Sequence, residues 1–187
     1  VENLLKWPVA KNGKYEIIPS EIKLHDIVAE TFGLLKENTA HKHVKFRPLI
    51  SKKTKVIADR AMLQTVISSL LACTIKSLPG PGEVSIEAND KGNFVEVNIT
   101  DSNVAINKSL IPPIINNLAR NKNKKLKAGA SGIELLLCKE LIEAQGGAAQ
   151  FAKENNTCNF TFTIPKPSGK GSTEVNKITP PSKLSAA

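Results

Sequence analysis

The sequence predicts an α+β fold, a two-layer sandwich in which helices cover one face of a mixed sheet, and three observations predict it. Stretches with helical apolar spacing and stretches with alternating spacing follow one another in blocks. Two alternating runs, Val84, Ile86, Ala88 and Val95, Val97, Ile99, flank the turn "NDKGN" and read as a hairpin, which a wholly parallel sheet would not contain. A hydrophobic content of 41% in 187 residues is enough for one ordinary core.

Each element follows from its local pattern. Residues 1–7, "VENLLKW", read as the last turns of a helix, stopped by Pro8 and the "KNGK" turn. Residues 15–19, "YEIIP", read as a short strand. From Leu24 to about Lys36, Leu24, Ile27, Val28, Phe32, Leu34 and Leu35 recur at helical spacing. Residues 43–50 and 54–58 are two strands separated by a basic turn. Asp59 caps a long helix to Leu78, whose stripe is Met62, Leu63, Val66, Ile67, Leu70, Leu71 and Ile75, and "PGPG" at 79–82 ends it. Beyond the hairpin and Asp101 come a loop, a short apolar helix near 108–118 and a basic stretch at 120–127. A second amphipathic helix runs from about Gly132 to Gln145 and closes on Gly146 and Gly147. Strands at 148–153 and 158–164 finish the domain, the latter with Phe160, Phe162 and Ile164 on one face. Residues 166–187 have no periodicity and read as a linker or tail.

Composition narrows the function classes. The three cysteines, Cys73, Cys138 and Cys158, lie far apart in apolar stretches, which points away from a disulfide framework or a zinc cluster and toward a reducing, cytoplasmic setting. No run reaches the roughly 18 apolar residues of a membrane span, and no signal peptide is visible. The net charge of +9 favours anionic partners, with basic clusters at 41–55, 120–127 and the tail. Aromatics at 4% leave little for stacking bases, which disfavours nucleic acid as a partner. His41 and His43 flank Lys42 without Cys or Asp company, a weak metal pattern, and His25 beside Asp26 reads as a surface pair.

The stretch "GASGIELLLCKELIEAQGG" at 129–147 is a glycine and serine loop entering a helix, the form that presents backbone N–H groups and a positive dipole end to a phosphate. Together with "ENLLKW", "ADRAMLQTVISSLLACTIKSLPGPGEVSIEA" at 58–88 and "VNITDS", it resembles, in order and spacing, the ATP-binding catalytic domain of bacterial sensor histidine kinases in the GHKL ATPase superfamily. The resemblance covers roughly residues 1–165. It implies the end of a dimerisation helix and its turn at 1–13, a histidine-kinase-like ATPase domain at 14–165 and a linker or tail at 166–187. It also implies ATP and Mg²⁺ as cofactors, and as partners the chain's own dimerisation and phosphoacceptor domain, in a homodimer, and the receiver domain of a response regulator. The setting it implies is the cytoplasm, either as a free domain or as the cytoplasmic part of a membrane-anchored sensor.

Residue by residue, the resemblance puts the family's two helix asparagines at Ser69 and Cys73, the following basic residue at Lys76, and the adenine-binding aspartate at Asp101. A serine hydroxyl can meet a metal, so Ser69 is the weak metal candidate, whereas a thiol is a poor ligand for hard Mg²⁺. After Asp101 the family's two glycines are Asn103 and Ala105 here, and side chains there would crowd a bound ring. The glycine box falls on Ala130, Gly132 and Glu134, with Gly129 as a stand-in for the first position. A Glu134 carboxylate in the first helical turn would satisfy the dipole and repel a triphosphate. At ~4 Å and an effective dielectric of ~20, like unit charges cost on the order of 4 kcal/mol, roughly a thousandfold in affinity. The sequence-based expectation is therefore a domain with weak or no ATP binding and a regulatory or docking role. The alternatives are an active ATP-dependent histidine kinase domain and a basic nucleic-acid-binding module.

Overall fold

The computed structural model describes residues 16–39, 43–101, 130–154 and 157–167. In chain order these form β1 (Pro19–Lys23), α1 (Leu24–Thr39), β2 (Val44–Leu49), β3 (Lys55–Asp59), α2 (Arg60–Ser77), β4 (Gly82–Lys91), β5 (Phe94–Asp101), α3 (Ala130–Ala144), β6 (Ala149–Glu154) and β7 (Thr157–Pro165). The expected elements at 1–7 and 108–118 lie outside the described residues, as do most of the tail and the basic stretch at 120–127.

Among the described residues the strands form a five-stranded sheet in the order β2-β4-β5-β7-β6 and a separate ribbon of β1 and β3. The β2–β4 pair is parallel and the others are antiparallel, so the sheet is mixed as expected. The hairpin is tighter than its sequence label: pairing continues to Lys91 opposite Phe94, and Gly92 turns the chain at φ 74. The two strands flanking the basic turn part company, β2 joining the large sheet and β3 pairing with β1.

The expected strand at 15–19 is displaced. Strand β1 starts at Pro19, opposite Asp59, and residues 16–18 have no regular structure. The physical reason is local: the Ile18 N–H donates to the Asp59 carboxylate at 3.0 Å instead of to a neighbouring strand.

Alternation along the strands separates the two sheet faces. Val84, Ile86, Val95, Val97, Ile99, Phe160, Phe162 and Ile164 are buried against Leu63, Ile67, Leu70 and Leu71 of α2 and Leu141 and Ile142 of α3 in one core. Each such side chain contributes about 1.5–3 kcal/mol when fully buried. Phe151 meets Phe160 edge to face, with ring centroids 5.4 Å apart. The other face carries polar cross-strand pairs, Ser85 with Thr100 and Asn98 with Thr161, each at 2.8 Å.

The helix ends have identifiable causes. Asp59 caps α2, its Oδ1 accepting from the N–H groups of Ala61 at 3.0 Å and Met62 at 3.1 Å. Helix α3 ends in a Schellman motif: the Gly146 N–H donates to Glu143 O and the Gly147 N–H to Ile142 O, both at 3.0 Å. Gly146 takes the left-handed φ of 81 that this cap requires. Gly147 is needed for space, because a Cβ there would fall 1.9 Å from the Thr163 carbonyl oxygen.

Candidate functional site

Three elements converge where the candidate residues lie: the C-terminal half of α2, the end of β5 and the N-terminal half of α3. On α2, Ser69 and Cys73 are four residues apart and share a face, both nearly buried at 8% and 7% exposed. Lys76 is exposed in the last turn of α2, where a cation complements the helix dipole. Asp101 is the last residue of β5, opposite Val84, and is 4% exposed. It is thus a buried carboxylate at the sheet's end rather than a solvent-facing turn residue.

Helices α2 and α3 run antiparallel. Gln145, just past the end of α3, accepts a hydrogen bond from the Asp59 N–H at the start of α2, at 2.8 Å. Further along, Ser69 of α2 hydrogen-bonds the Cys138 thiol of α3. One turn beyond that contact on each helix, about 6 Å at ~1.5 Å per residue, lie Cys73 and Glu134. The side chains at 134, 138, 141 and 145 form one stripe, and Cys138, Leu141 and Gln145 on it are buried. Glu134 therefore stands half-buried at the open end of the α2–α3 interface, level with Cys73.

The electrostatics agree with this placement. The Cys138 thiol is pushed up from its usual 9.0 to about 12, chiefly by burial; the Ser69 hydrogen bond opposes the rise and the Glu134 charge adds to it. Glu134, one turn from Cys138 on the same helix, is thus near enough for its charge to be felt at the thiol. Its position along the helix differs from expectation: α3 starts at Ala130, so Glu134 opens the second turn and the first turn holds no acidic residue. The dipole falls off within the first turn, so the stronger argument against a bound phosphate is the carboxylate's charge near the helix entrance, not its satisfaction of the helix end.

The structure brings Ser69, Cys73 and Glu134 to one interhelical mouth and sets Asp101 at the end of the adjoining strand. Gly132 is in the first turn of α3, whereas Asn103 and Gly129 lie outside the described residues. Ser69 is engaged by Cys138, a partner the sequence reading did not name. That pairing joins residues distant in sequence and depends on helix register, which periodicity does not show. Gln145 was also missed; its signal was a polar residue continuing an apolar stripe into a glycine pair. His25 lies in the first turn of α1 with Nδ1 3.3 Å from Asp26 Oδ1, a local pair.

Among the described residues no group of three or more His, Cys, Asp or Glu side chains is placed to hold a metal ion. A cavity of about 530 Å³ opens at the other end of β5, lined by Lys53, Lys55, Asp90, Val95 and Lys166. It is remote from Asp101, and two of its lysines are already engaged, Lys55 with Glu21 at 2.6 Å and Lys166 with Asp90.

Residues 58–168 match the family described as Histidine kinase-, DNA gyrase B-, and HSP90-like ATPase. The chain belongs to this family. Its relatives include the sensor histidine kinase WalK of Bacillus subtilis, 25% identical over 149 residues, covering 77% of this chain and 24% of that protein. The adaptive-response sensory kinase SasA of a Synechococcus strain is 30% identical over 129 residues, covering 66% of this chain and 33% of that protein. The methyl sulfide methyltransferase-associated sensor of Methanosarcina acetivorans is 26% identical over 170 residues, covering 89% and 17%. The chain therefore spans between 17% and 33% of the length of these three relatives. The fold is that of the catalytic domain of histidine kinase ThkA, with a TM-score of 0.61 at 23% identity over 81% of this chain and 96% of that one. The family resemblance and the α+β fold expected from the sequence both hold. No described helix is long and apolar enough to cross a membrane.

Proposed function

We propose that the chain is the ATPase-type domain of a sensor histidine kinase in a two-component phosphorelay, with a nucleotide site reduced to weak or no ATP binding and a regulatory or docking role. The observation that carries this reading is the occupancy of the α2–α3 mouth by the protein's own groups. The Ser69 hydroxyl hydrogen-bonds the Cys138 thiol, a thiol stands at Cys73, and Glu134 adds a half-buried carboxylate at the same level. This donor set does not suit Mg²⁺, which takes oxygen ligands in a strict octahedron, nor does the carboxylate suit a triphosphate.

The partners are the protein's own dimerisation and phosphoacceptor domain, to which residues 1–13 connect, and a response-regulator receiver domain. A solved complex of histidine kinase ThkA with response regulator TrrA, similar to this chain at a TM-score of 0.60, supports the second. The setting is the cytoplasmic side of a membrane-anchored sensor. The active alternative, an ATP:protein-histidine phosphotransferase domain, is favoured by one observation, the buried Asp101 at the end of β5. Full-length ShkA, similar in fold, is solved in complex with AMPPNP.

Titration with ATP and Mg²⁺, followed by amide NMR shifts at Ser69, Asp101 and Gly132, separates the two readings. Little or no saturation is expected for the native chain. Saturable shifts at micromolar to low millimolar ATP would overturn the reduced-site reading. The triple variant Ser69→Asn, Cys73→Asn, Glu134→Gly is expected to gain affinity, by up to roughly a thousandfold for the Glu134 charge alone.

A further inference from the structure

The two helices that form the candidate mouth are fixed to each other at their far end by buried polar groups. Gln145 is 3% exposed, and its amide is oriented by two bonds: Nε2 donates to Leu141 O and Oε1 accepts from the Asp59 N–H, both at 2.8 Å. Asp59 is 8% exposed and divides its carboxylate, Oδ1 serving the Ala61 and Met62 N–H groups and Oδ2 the Ile18 N–H. One residue thereby joins the segment entering β1, the start of α2 and the end of α3. The glycine cap that follows Gln145 is pressed onto the Thr163 backbone of β7.

We propose that Asp59 and Gln145 are positioning residues for the candidate site, setting the register in which Cys138 of α3 meets Ser69 of α2 and Glu134 comes level with Cys73, and tying that register to the segment before β1. A slip of one residue along α3 would shift its side chains by ~1.5 Å and turn them by about 100°, which takes Cys138 off Ser69 and Glu134 off the mouth. The bonds at Gln145 hold α3 against such a slip. The Ile18–Asp59 bond makes the lock sensitive to the chain entering from residues 1–15. The proposal rests on the α2–α3 mouth being the site, but not on whether nucleotide binds there.

Cys138 is the reporter, because it is fully buried in the observed register. The full chain is treated with iodoacetamide, and Cys138 modification is followed by peptide mass mapping alongside urea unfolding. In Gln145→Met, which keeps length but loses the acceptor, Cys138 is expected to react at least ~10-fold faster than in Phe162→Leu compared at equal unfolding free energy, because the opening is local rather than global. Equal rates at equal stability would show an ordinary structural role and overturn the proposal. Asp59→Asn keeps an acceptor for the α2 cap but turns an N–H₂ toward Ile18. It is expected to raise Cys138 reactivity several-fold with little change in urea midpoint. Amide changes confined to residues 17–20, with Cys138 reactivity unaltered, would overturn the link to the entering segment. Alkylation reads the register alone, so a failure here leaves the ATP titration free to succeed or fail on its own.

Discussion

At one end of the α2–α3 pair, Gln145 bonds Asp59, Asp59 caps α2 and Gly146–Gly147 cap α3, all through hydrogen bonds of 2.8–3.1 Å, and Gly147 packs on the Thr163 backbone of the sheet. At the other end, Ser69 holds the Cys138 thiol, and one turn further on Cys73 and the half-buried Glu134 lie level with each other. The closed end holds the helices in place and contributes nothing to ligand chemistry, while the open end decides the ligand and contributes little to holding the helices. A domain divided this way can change its ligand residues and keep its fold, which is the state proposed for this chain.

The sharpest way to break the comparison is at the closed end. In Gly147→Ala the new methyl would lie 1.9 Å from Thr163 O and 2.9 Å from Ile142 Cγ2, and the first of these neighbours is sheet backbone. Neither can retreat without shifting β7 or the last turn of α3. A loss of about 3 kcal/mol in urea unfolding is expected, at the upper end of ordinary overpacking. A loss below ~1 kcal/mol would show that the closed end is not rigidly held.

What was legible in the sequence divides along the same line. The Asp59 cap, the apolar stripe of α2, the β4–β5 hairpin and the glycine pair are local patterns, and each appears in the structure. Pairings between distant segments were not legible. Nothing local says that β2 lies parallel to β4 while β3 turns to β1, because both strands carry ordinary strand composition. The start of α3 was read about two residues late, since Ala130 and Ser131 have no apolar periodicity to mark them. At the candidate site the residue types were legible, but their directions were not. The sequence showed a glutamate in a glycine position; only the register of α3 on α2 shows that it lies level with Cys73.

A milder effect is expected midway between the two ends, at Cys138. Its folded pKa is raised to about 12 from 9.0, so between those values the unfolded chain loses the proton while the folded chain keeps it. The unfolded state then binds fewer protons, and stability falls with rising pH. The contribution is fully present below pH 9.0 and fades as pH rises toward 12. Relative to Cys138→Val, whose side chain does not titrate, the native chain should lose about 1 kcal/mol between pH 8 and pH 10. Urea midpoints of the two proteins at both pH values measure it, and parallel behaviour would mean that the thiol is not desolvated in the fold.

The smallest effects on stability belong to the open end, where they sharpen the comparison through the same thiol. Glu134→Gln removes a half-buried charge on which no described ion pair depends, and is expected to change the unfolding free energy by less than ~0.5 kcal/mol at neutral pH. Its measurable consequence is electrostatic: the Glu134 charge raises the Cys138 pKa, so its removal should lower that pKa. Ser69→Ala should do the reverse, because the Ser69 hydrogen bond opposes the rise. Opposite shifts in the pH dependence of Cys138 alkylation would show that both Glu134 and Ser69 act on one buried thiol, one by charge and one by hydrogen bond. If Glu134→Gln leaves the Cys138 profile unchanged, the carboxylate points away from the buried thiol, and the case for a mouth closed to phosphate loses its main support.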